Sequence, residues 1–318
     1  MRFLLAAPML IVLVAAAFAP VAHADGGPSP GVLDGWPGLA VHGVHYVADS
    51  AGRSTLVEVT RRSGPTLRAR TVRGSFGIPL VTWGGDVGGL SADGGTLALQ
   101  QPSNGGGLAR VSRFDVLDAR SLRTLRRIVL AGDFAYDALS PDGRTLYLVE
   151  HVSALDVTRY RVRAYDVAAG RLLPEIIADR TTWQTAMAGS PLSRASSADG
   201  GWVYTLYGRT DGHGVAFVHA LDTRHRRAVC LDVPWHRNPQ VVWGTRLRLD
   251  ERRGTLTVFD RKTRETYAVL HVPAAALPSS TAGITSLSKA VLALVAGLLA
   301  GACVVAGGRR RRRAARSS

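Results

Sequence analysis

The sequence predicts an all-β chain, folded as a β-propeller of about five four-stranded blades, with six or seven blades as alternatives. Two observations lead to this prediction. A turn of the form Ser-x-Asp-Gly, followed by an apolar strand, occurs three times, beginning at Ser91, Ser140 and Ser197. An apolar residue followed by Asp then recurs 24, 23 and 22 residues after the glycine of each turn, at Asp118, Asp166 and Asp222.

The clearest unit begins at Ser140-Pro141-Asp142-Gly143, which has a favoured residue at each position of a type I turn. We expect Gly143 to close this turn at positive φ. The next strand, Thr145–Val149, is almost entirely apolar, and so is Trp202–Tyr207. A strand that buries both faces suits the middle of a blade packed between two neighbours. A simple β-sandwich would not explain the repetition of whole four-strand units.

The pattern weakens toward both ends of the domain. Phe259-Asp260 predicts a fourth Asp turn, with Asn238-Pro239 as the first turn of the same unit 22 residues earlier. Thr60–Ser63, preceded by Pro37-Gly38, predicts the corresponding turns of a first unit. Units averaging about fifty residues would then fill 39–272, a usual length for propeller blades.

The segment from Leu130 to Ile177 resembles one repeat of the YVTN-type, lactonase-like β-propeller family. The resemblance is carried by the Ser-Pro-Asp-Gly turn, the Leu146-Tyr147 strand and the apolar-Asp turn at Asp166. It is close for one unit, partial for two and faint at the ends. It implies a propeller fold. Because some relatives are lactonases and many are binding scaffolds, it leaves the function open.

The amino terminus predicts a secretory signal over residues 1–24. Arg2 supplies the positive region, Phe3–Phe18 the apolar region, and Ala22-His23-Ala24 a small-x-small cleavage site. An uncleaved signal anchor is the alternative, and both would place the following domain outside the cytoplasm. Residues 25–38, rich in Gly and Pro, predict a disordered lead before the propeller domain.

The carboxyl terminus predicts a membrane anchor. A small-residue linker over 273–289 precedes Ala290–Gly308, a run of 19 uncharged residues that is long enough to cross a bilayer. The tail 309–318 opens with five consecutive arginines, which by the positive-inside rule remain cytoplasmic. Gly297 and Gly301 have the spacing of a helix-dimer motif, so a helix dimer is one possible state.

The composition points to no catalytic chemistry. The net charge of +15 is almost wholly due to arginine, since Lys262 and Lys289 are the only lysines. This allows attachment to anionic lipid or wall polymer as a further possibility. No nucleophile elbow, phosphate loop or metal-ligand motif occurs, so we expect no cofactor, metal or nucleic acid. Cys230, in Ala-Val-Cys-Leu, is expected to be a small buried hydrophobe.

Ligand-binding residues are predicted on one rim of the propeller. In an antiparallel meander alternate connections fall at opposite ends of the strands, so the short Asp-Gly and Asp turns should share one rim. The longer connections should share the other, where binding groups usually concentrate. The candidates on that rim are Trp83, Asp86, Asp133, His151, Asp156, Trp183, Asp211, His213, Trp235 and His236.

These observations support a single-pass cell-membrane protein with its propeller outside and its carboxyl terminus in the cytoplasm. One hypothesis is a binding or scaffolding module for an extracytoplasmic protein, glycan or small molecule. The alternative is a propeller hydrolase of lactonase type, which would need acids and histidines to converge on the central channel.

Overall fold

A computed structural model describes residues 22–23, 29–62, 64–103, 107–179 and 186–272. The predicted linker, transmembrane helix and basic tail (273–318), the candidate Trp183, and all of the predicted signal peptide except Ala22–His23 lie outside the described residues. Within these ranges no helix is both long enough and apolar enough to cross a membrane.

The described chain is built almost entirely of β-strands, with one 3₁₀ helix at Pro239–Gly244. In the amino-terminal half the strands are β1 Ala22–His23, β2 Val32–Leu33, β3 Leu39–Val41, β4 Val44–Ala51, β5 Ser54–Arg61, β6 Thr66–Arg73, β7 Ile78–Pro79, β8 Thr96–Gln100, β9 Val111–Asp118 and β10 Thr124–Ala131. In the rest they are β11 Asp133–Leu139, β12 Thr145–His151, β13 Arg159–Asp166, β14 Arg171–Ile177, β15 Met187–Ser196, β16 Trp202–Arg209, β17 Ala216–Asp222, β18 Arg227–Asp232, β19 Thr245–Asp250, β20 Thr255–Asp260 and β21 Thr266–His271.

Antiparallel meanders follow one another along the chain. Unit I is β3–β6, unit II β8–β10, unit III β11–β14, unit IV β15–β18 and unit V β19–β21. Units III and IV are joined where Tyr160 of β13 pairs with Met187 of β15. A small separate sheet is formed by β1, β2 and β7. The described chain is therefore an all-β assembly of antiparallel meanders that resembles a β-propeller.

The predicted repeat is confirmed in the pairing register of units II, III and IV. The residue that opens the strand after each Asp-Gly turn pairs with the Asp that closes the next strand, as Thr96 with Asp118, Thr145 with Asp166 and Trp202 with Asp222. The Asp-Gly turns and these Asp turns consequently lie at the same end of their sheets.

The apolar core lies between successive sheets. Leu97 and Leu99 of β8 pack toward unit I, whereas Ala98 between them packs toward unit III. Likewise, Leu146 and Leu148 of β12 face unit II, whereas Tyr147 faces unit IV. Adjacent residues of a strand point to opposite faces, so these strands are buried on both sides, as their unbroken apolar sequences predicted.

Unit II has an interrupted first strand. β8 pairs with Gly77 near one end and with Leu90 near the other, and the chain between them leaves the sheet. This excursion, Leu80–Gly88, is called the crossing segment below. It reaches unit IV, where the Trp83 amide donates to the Pro191 carbonyl (2.9 Å), and unit V, where Arg246 donates to the Gly84 carbonyl (2.8 Å).

Unit V differs from its predicted arrangement. The prediction placed its first turn at Asn238-Pro239, but these residues cap and begin the 3₁₀ helix. β19 runs alongside β15 in the same direction, since Ser193 Oγ accepts from the Leu247 amide and Glu251 accepts from the Ala198 amide. The Asp260 turn therefore lies at the end opposite to the other Asp turns, and the prediction that they all share one rim is wrong for this unit.

The start of the domain also differs from the sequence-based prediction. Residues 25–38 were expected to be a disordered lead, yet Val32 and Leu33 are buried in β2, which pairs with β7. The turn that opens unit I is His42-Gly43 between β3 and β4, and not Pro37-Gly38. The third turn of unit I, between β5 and β6, does fall after Arg61, close to the turn predicted at Thr60–Ser63.

Candidate functional site

Three Asp-Gly turns with the same hydrogen-bonding pattern shape one end of units II–IV, called the turn rim. In each turn the first Ser donates its hydroxyl to the Asp carboxylate at 2.6–2.7 Å, and its Oγ accepts from the amide that opens the next strand at 2.9 Å. Gly94, Gly143 and Gly200 close the turns at φ of 68°, 68° and 66°. The positive φ predicted for Gly143 is confirmed, and in each turn the Ser and Asp side chains each accept from one backbone amide of the following residues.

The turns of different units contact one another. The Asp93 amide donates to the Pro141 carbonyl at 3.1 Å, which ties unit II to unit III. A Cβ added at Gly200 would lie 2.6 Å from that of Ala92, so units II and IV also meet closely here. Glycine in these turns permits both the backbone conformation and the close approach.

A cavity of about 430 Å³ opens beside these turns. Its walls come from the first strands and turns of units I–IV: Leu39 and His42 from unit I, Leu90 and Asp93 from unit II, Leu139 from unit III, Ser196–Ala198 from unit IV. Apolar walls with a few polar groups are typical of small-molecule sites, and the volume is in their usual range. We call this space the central cavity.

An ion pair between Asp137 and Arg194 forms part of the cavity lining. The Arg194 guanidinium donates to both the carboxylate and the backbone carbonyl of Asp137, and its Nε donates to the Thr205 hydroxyl at 3.1 Å. The two side chains are only 3% and 10% exposed. Asp137 Oδ2 is buried and has no hydrogen-bond partner among the described residues. A buried carboxylate oxygen without a donor is costly.

The crossing segment contacts this ion pair through Asp86. Asp86 Oδ2 accepts from the Thr82 hydroxyl (2.7 Å) and from the Arg194 amide (2.8 Å). A second cavity, of about 20 Å³, also has Asp137 and Arg194 in its lining and reaches His151 at the opposite end of the sheets, called the loop rim. The central pair thus separates a roomy cavity from a narrow one.

The predicted loop-rim residues do not form one site. Asp133 and His151 face each other at 2.8 Å with both side chains 6% exposed, and Asp133 Oδ2 also accepts from the Ala109 amide. Asp156 accepts from the amide and hydroxyl of Thr158, which orders its own loop. These three residues therefore have structural partners.

The remaining candidates are more accessible. Asp211 pairs with Arg209 at 3.3 Å and accepts from the His213 amide. Trp83 is 40% exposed on the crossing segment. Trp235 packs edge-on against Tyr267 at 5.6 Å, and His236 beside it is exposed. Their predicted role in binding remains a prediction.

Sequence reasoning did not find the central cavity. Arg194, a basic residue in a strand otherwise composed of small and apolar residues, was a usable signal, since such a charge needs a buried partner. Asp137, a charged residue in the apolar strand β11 of unit III, was the same kind of signal. Their pairing could not be read from the sequence because they are 57 residues apart and belong to different units.

Burial suppresses the ionisation of several groups in units III and IV. Desolvation raises the pKa of Tyr136 to about 12 and the pKa of the Cys230 thiol to about 12. It also lowers the pKa of His219, which is enclosed in unit IV. Among the described residues no three His, Cys, Asp or Glu side chains lie together as a metal site.

Comparison with known proteins gives similarity of fold only. No protein-family model matches the chain, and no curated protein matches it. Similar solved structures include the Myceliophteria thermophila Cps50 (Swd1) β-propeller domain, at 13% identity and TM-score 0.36, with 74% of this chain and 73% of that chain covered. BamB from Moraxella catarrhalis (14%, TM-score 0.39) is covered over 62% of its length and 73% of this chain. TolB from Acinetobacter baumannii (13%, TM-score 0.39) is covered over 53% of its length and 71% of this chain.

Proposed function

We propose that the chain is a membrane-anchored, extracytoplasmic β-propeller of five blades that binds a small polar ligand in its central cavity. Units I–V would be the blades. Units I, III and IV have four strands each, unit II completes its first strand only at Gly77 and Leu90, and unit V has three described strands.

The proposed location rests on the sequence at both ends of the chain. The signal-like segment begins with Arg2, and the uncharged run Ala290–Gly308 is followed by five arginines. Arginine clusters are retained on the cytoplasmic side, so this pattern favours a domain outside and a tail inside. A single transmembrane anchor after a linker would hold the propeller near the outer face of the cell membrane.

The unpartnered Oδ2 of Asp137 is the observation that carries the proposed binding function. It is a buried acceptor, and its residue lines a cavity with about 430 Å³ of space. A ligand with a hydroxyl or ammonium donor would satisfy it, and the aliphatic walls would cover the rest of a compact molecule. The loop-rim residues Trp83, Asp211, His213, Trp235 and His236 form the second candidate face.

The test uses thermal shift with the full-length protein in detergent and a panel of polyols, amino sugars and small amines. Any compound at 100 times its dissociation constant should stabilise the fold by roughly 2.7 kcal/mol. Ala198→Trp should abolish the shift, because residue 198 lies at the cavity lining. The control is Ala168→Trp, in the exposed Asp turn of unit III on the same rim.

A parallel variant combines Asp211→Asn, Trp235→Ala and His236→Ala on the loop rim, and it should retain the shift. If this variant loses the shift while Ala198→Trp keeps it, the ligand binds the loop rim and the cavity assignment is wrong. If no compound of the panel shifts the melting temperature, the proposal of a small polar ligand is rejected.

A further inference from the structure

Three side chains with soft or nitrogen donors meet between units III and IV, away from the central cavity. Cys230 Sγ lies 3.7 Å from Met187 Sδ and 3.8 Å from His219 Nδ1. His219 and Cys230 are directly opposite each other on β17 and β18, so their side chains share one face of the sheet. Met187, at the start of β15, approaches from the side of unit III.

One side chain of this cluster is buried, and the other two are half-buried. His219 is 2% exposed, and its Nε2 has no hydrogen-bond partner among the described residues. Cys230 and Met187 are half-buried, so this side of the cluster is partly open to solvent. The Cys230 amide donates to Asp179 Oδ2 at 2.8 Å, which fixes the backbone at the sulfur-bearing residue.

The separations of Cys230 Sγ from Met187 Sδ and from His219 Nδ1 match those of two ligands of one ion. Metal–sulfur bonds of about 2.3 Å and metal–nitrogen bonds of about 2.0 Å place two donors of a trigonal ion roughly 3.7–4.0 Å apart. Thiolate and thioether sulfurs are the ligands that select Cu(I), and imidazole accompanies them well. Structural zinc almost always takes four ligands drawn from Cys, His and carboxylates, and a thioether does not suit it.

We propose that Cys230, Met187 and His219 form a Cu(I) site. Binding forms Cu–Sγ, Cu–Sδ and Cu–Nδ1 bonds, and the Cys230 thiol releases its proton to solvent. Copper enters and remains as Cu(I), so no oxidant or reductant takes part. The site is independent of the proposed cavity ligand, because none of its three residues lines the central cavity.

The experiment titrates the full-length protein anaerobically with Cu(I) in competition with the chelator bicinchoninate. All variants carry Cys303→Ser, so that Cys230 is the only thiol. We expect one equivalent of Cu(I) and an ultraviolet sulfur-to-copper charge-transfer band. Because loss of an outer-shell partner already costs roughly 10–100-fold in metal affinity, Cys230→Ala should weaken binding by at least ~100-fold.

Met187→Leu is the decisive variant, because it keeps the side-chain volume and removes only the thioether. It should weaken Cu(I) binding by roughly tenfold or more, with an unchanged melting temperature of the metal-free protein. Val229→Ala is the matched control, because neighbouring residues of a strand face opposite sides. If Cys230→Ala or Met187→Leu binds Cu(I) as tightly as the parent, the contacts are ordinary packing and the proposal is wrong. If Zn(II) binds the parent as tightly as Cu(I) does, the site does not select Cu(I) and the assignment is also wrong.

Discussion

At the scale of single residues, the turn glycines share a conformation but differ in their neighbours. Gly94 and Gly143 both have φ of 68°. A Cβ at Gly94 would meet nothing within 4 Å, whereas one at Gly143 would lie 2.1 Å from Thr96 Oγ1. The sequence predicted the conformation from the turn motif, but it could not predict the close contact, which comes from the neighbouring sheet.

This difference predicts unequal costs for the same substitution. Gly94→Ala should destabilise the domain by about 1–2 kcal/mol, the cost of a left-handed backbone conformation for alanine. Gly143→Ala should cost roughly 1–3 kcal/mol more, because Thr96 must also move. Urea unfolding of both variants measures the difference, and Arg144→Val, at a side chain that is 82% exposed, serves as a control. Equal losses for the two glycines would contradict the close packing of units II and III.

The Asp199 carboxylate gives a prediction for pH dependence. Hydrogen bonds from the Ser197 hydroxyl, the Gly201 amide and Arg224 lower its pKa from 3.8 to about 2. A carboxyl whose folded pKa is depressed contributes stability above its unfolded pKa, and this contribution is lost as pH falls through about 2. Because the Ser197 hydroxyl is the largest cause, Ser197→Ala should raise the pKa of Asp199 toward 3.8. Carboxyl NMR titration measures this, and an unchanged pKa would show that the turn network does not set it.

At the scale of strands and sheets, the buried pair of Asp137 and Arg194 joins units III and IV beside the central cavity. Removing Arg194 alone leaves an uncompensated buried carboxylate, so Arg194→Met should cost roughly 3–5 kcal/mol. Adding Asp137→Asn should recover part of that loss, with a coupling energy of roughly 1–3 kcal/mol in a double-mutant cycle. Urea unfolding of the four proteins gives this coupling.

The exposed pair of Arg253 and Asp250 provides the control cycle. Their side chains are 82% and 36% exposed and 3.6 Å apart. Such a surface pair should couple by less than about 1 kcal/mol. A coupling for Asp137 and Arg194 no larger than this value would mean that water reaches the central pair.

The turn motifs predicted most of the sheets, but they did not predict for every turn the rim on which it lies. Asp118, Asp166, Asp222 and Asp260 each accept from the amide three residues on, and each is followed by a residue at positive φ. Asp260 nevertheless lies on the opposite rim. Leu249-Asp250 was the overlooked signal, since Asp250 also accepts from the amide three residues on and Gly254 follows at φ of 61°. An Asp turn specifies a tight reversal, and the number of preceding strands specifies its rim.

At the scale of the whole molecule, repeat spacing and hydrophobicity predicted the sheets better than the site. Strands buried on both faces are visible in a single sequence, because every residue in them is apolar. The cavity is formed by four units and the crossing segment, whose path from unit II to Arg246 of unit V follows no local pattern. The same applies to Asp133 and His151, two predicted ligand groups that bind each other.

The last prediction concerns the orientation of the chain in the membrane. With Arg2 before the first apolar run and five arginines after the last, residues 25–286 should lie outside and the carboxyl terminus inside. Protease added to intact cells should therefore remove the domain and spare a tag placed after Ser318. Replacing Arg309–Arg313 by serine should reduce this protection, because the stop-transfer charge is lost, whereas replacing the domain arginines Arg68 and Arg70 should leave it unchanged. If the domain resists protease until the cells are lysed, its orientation is the reverse of the one predicted, and the cavity does not lie outside the cytoplasm.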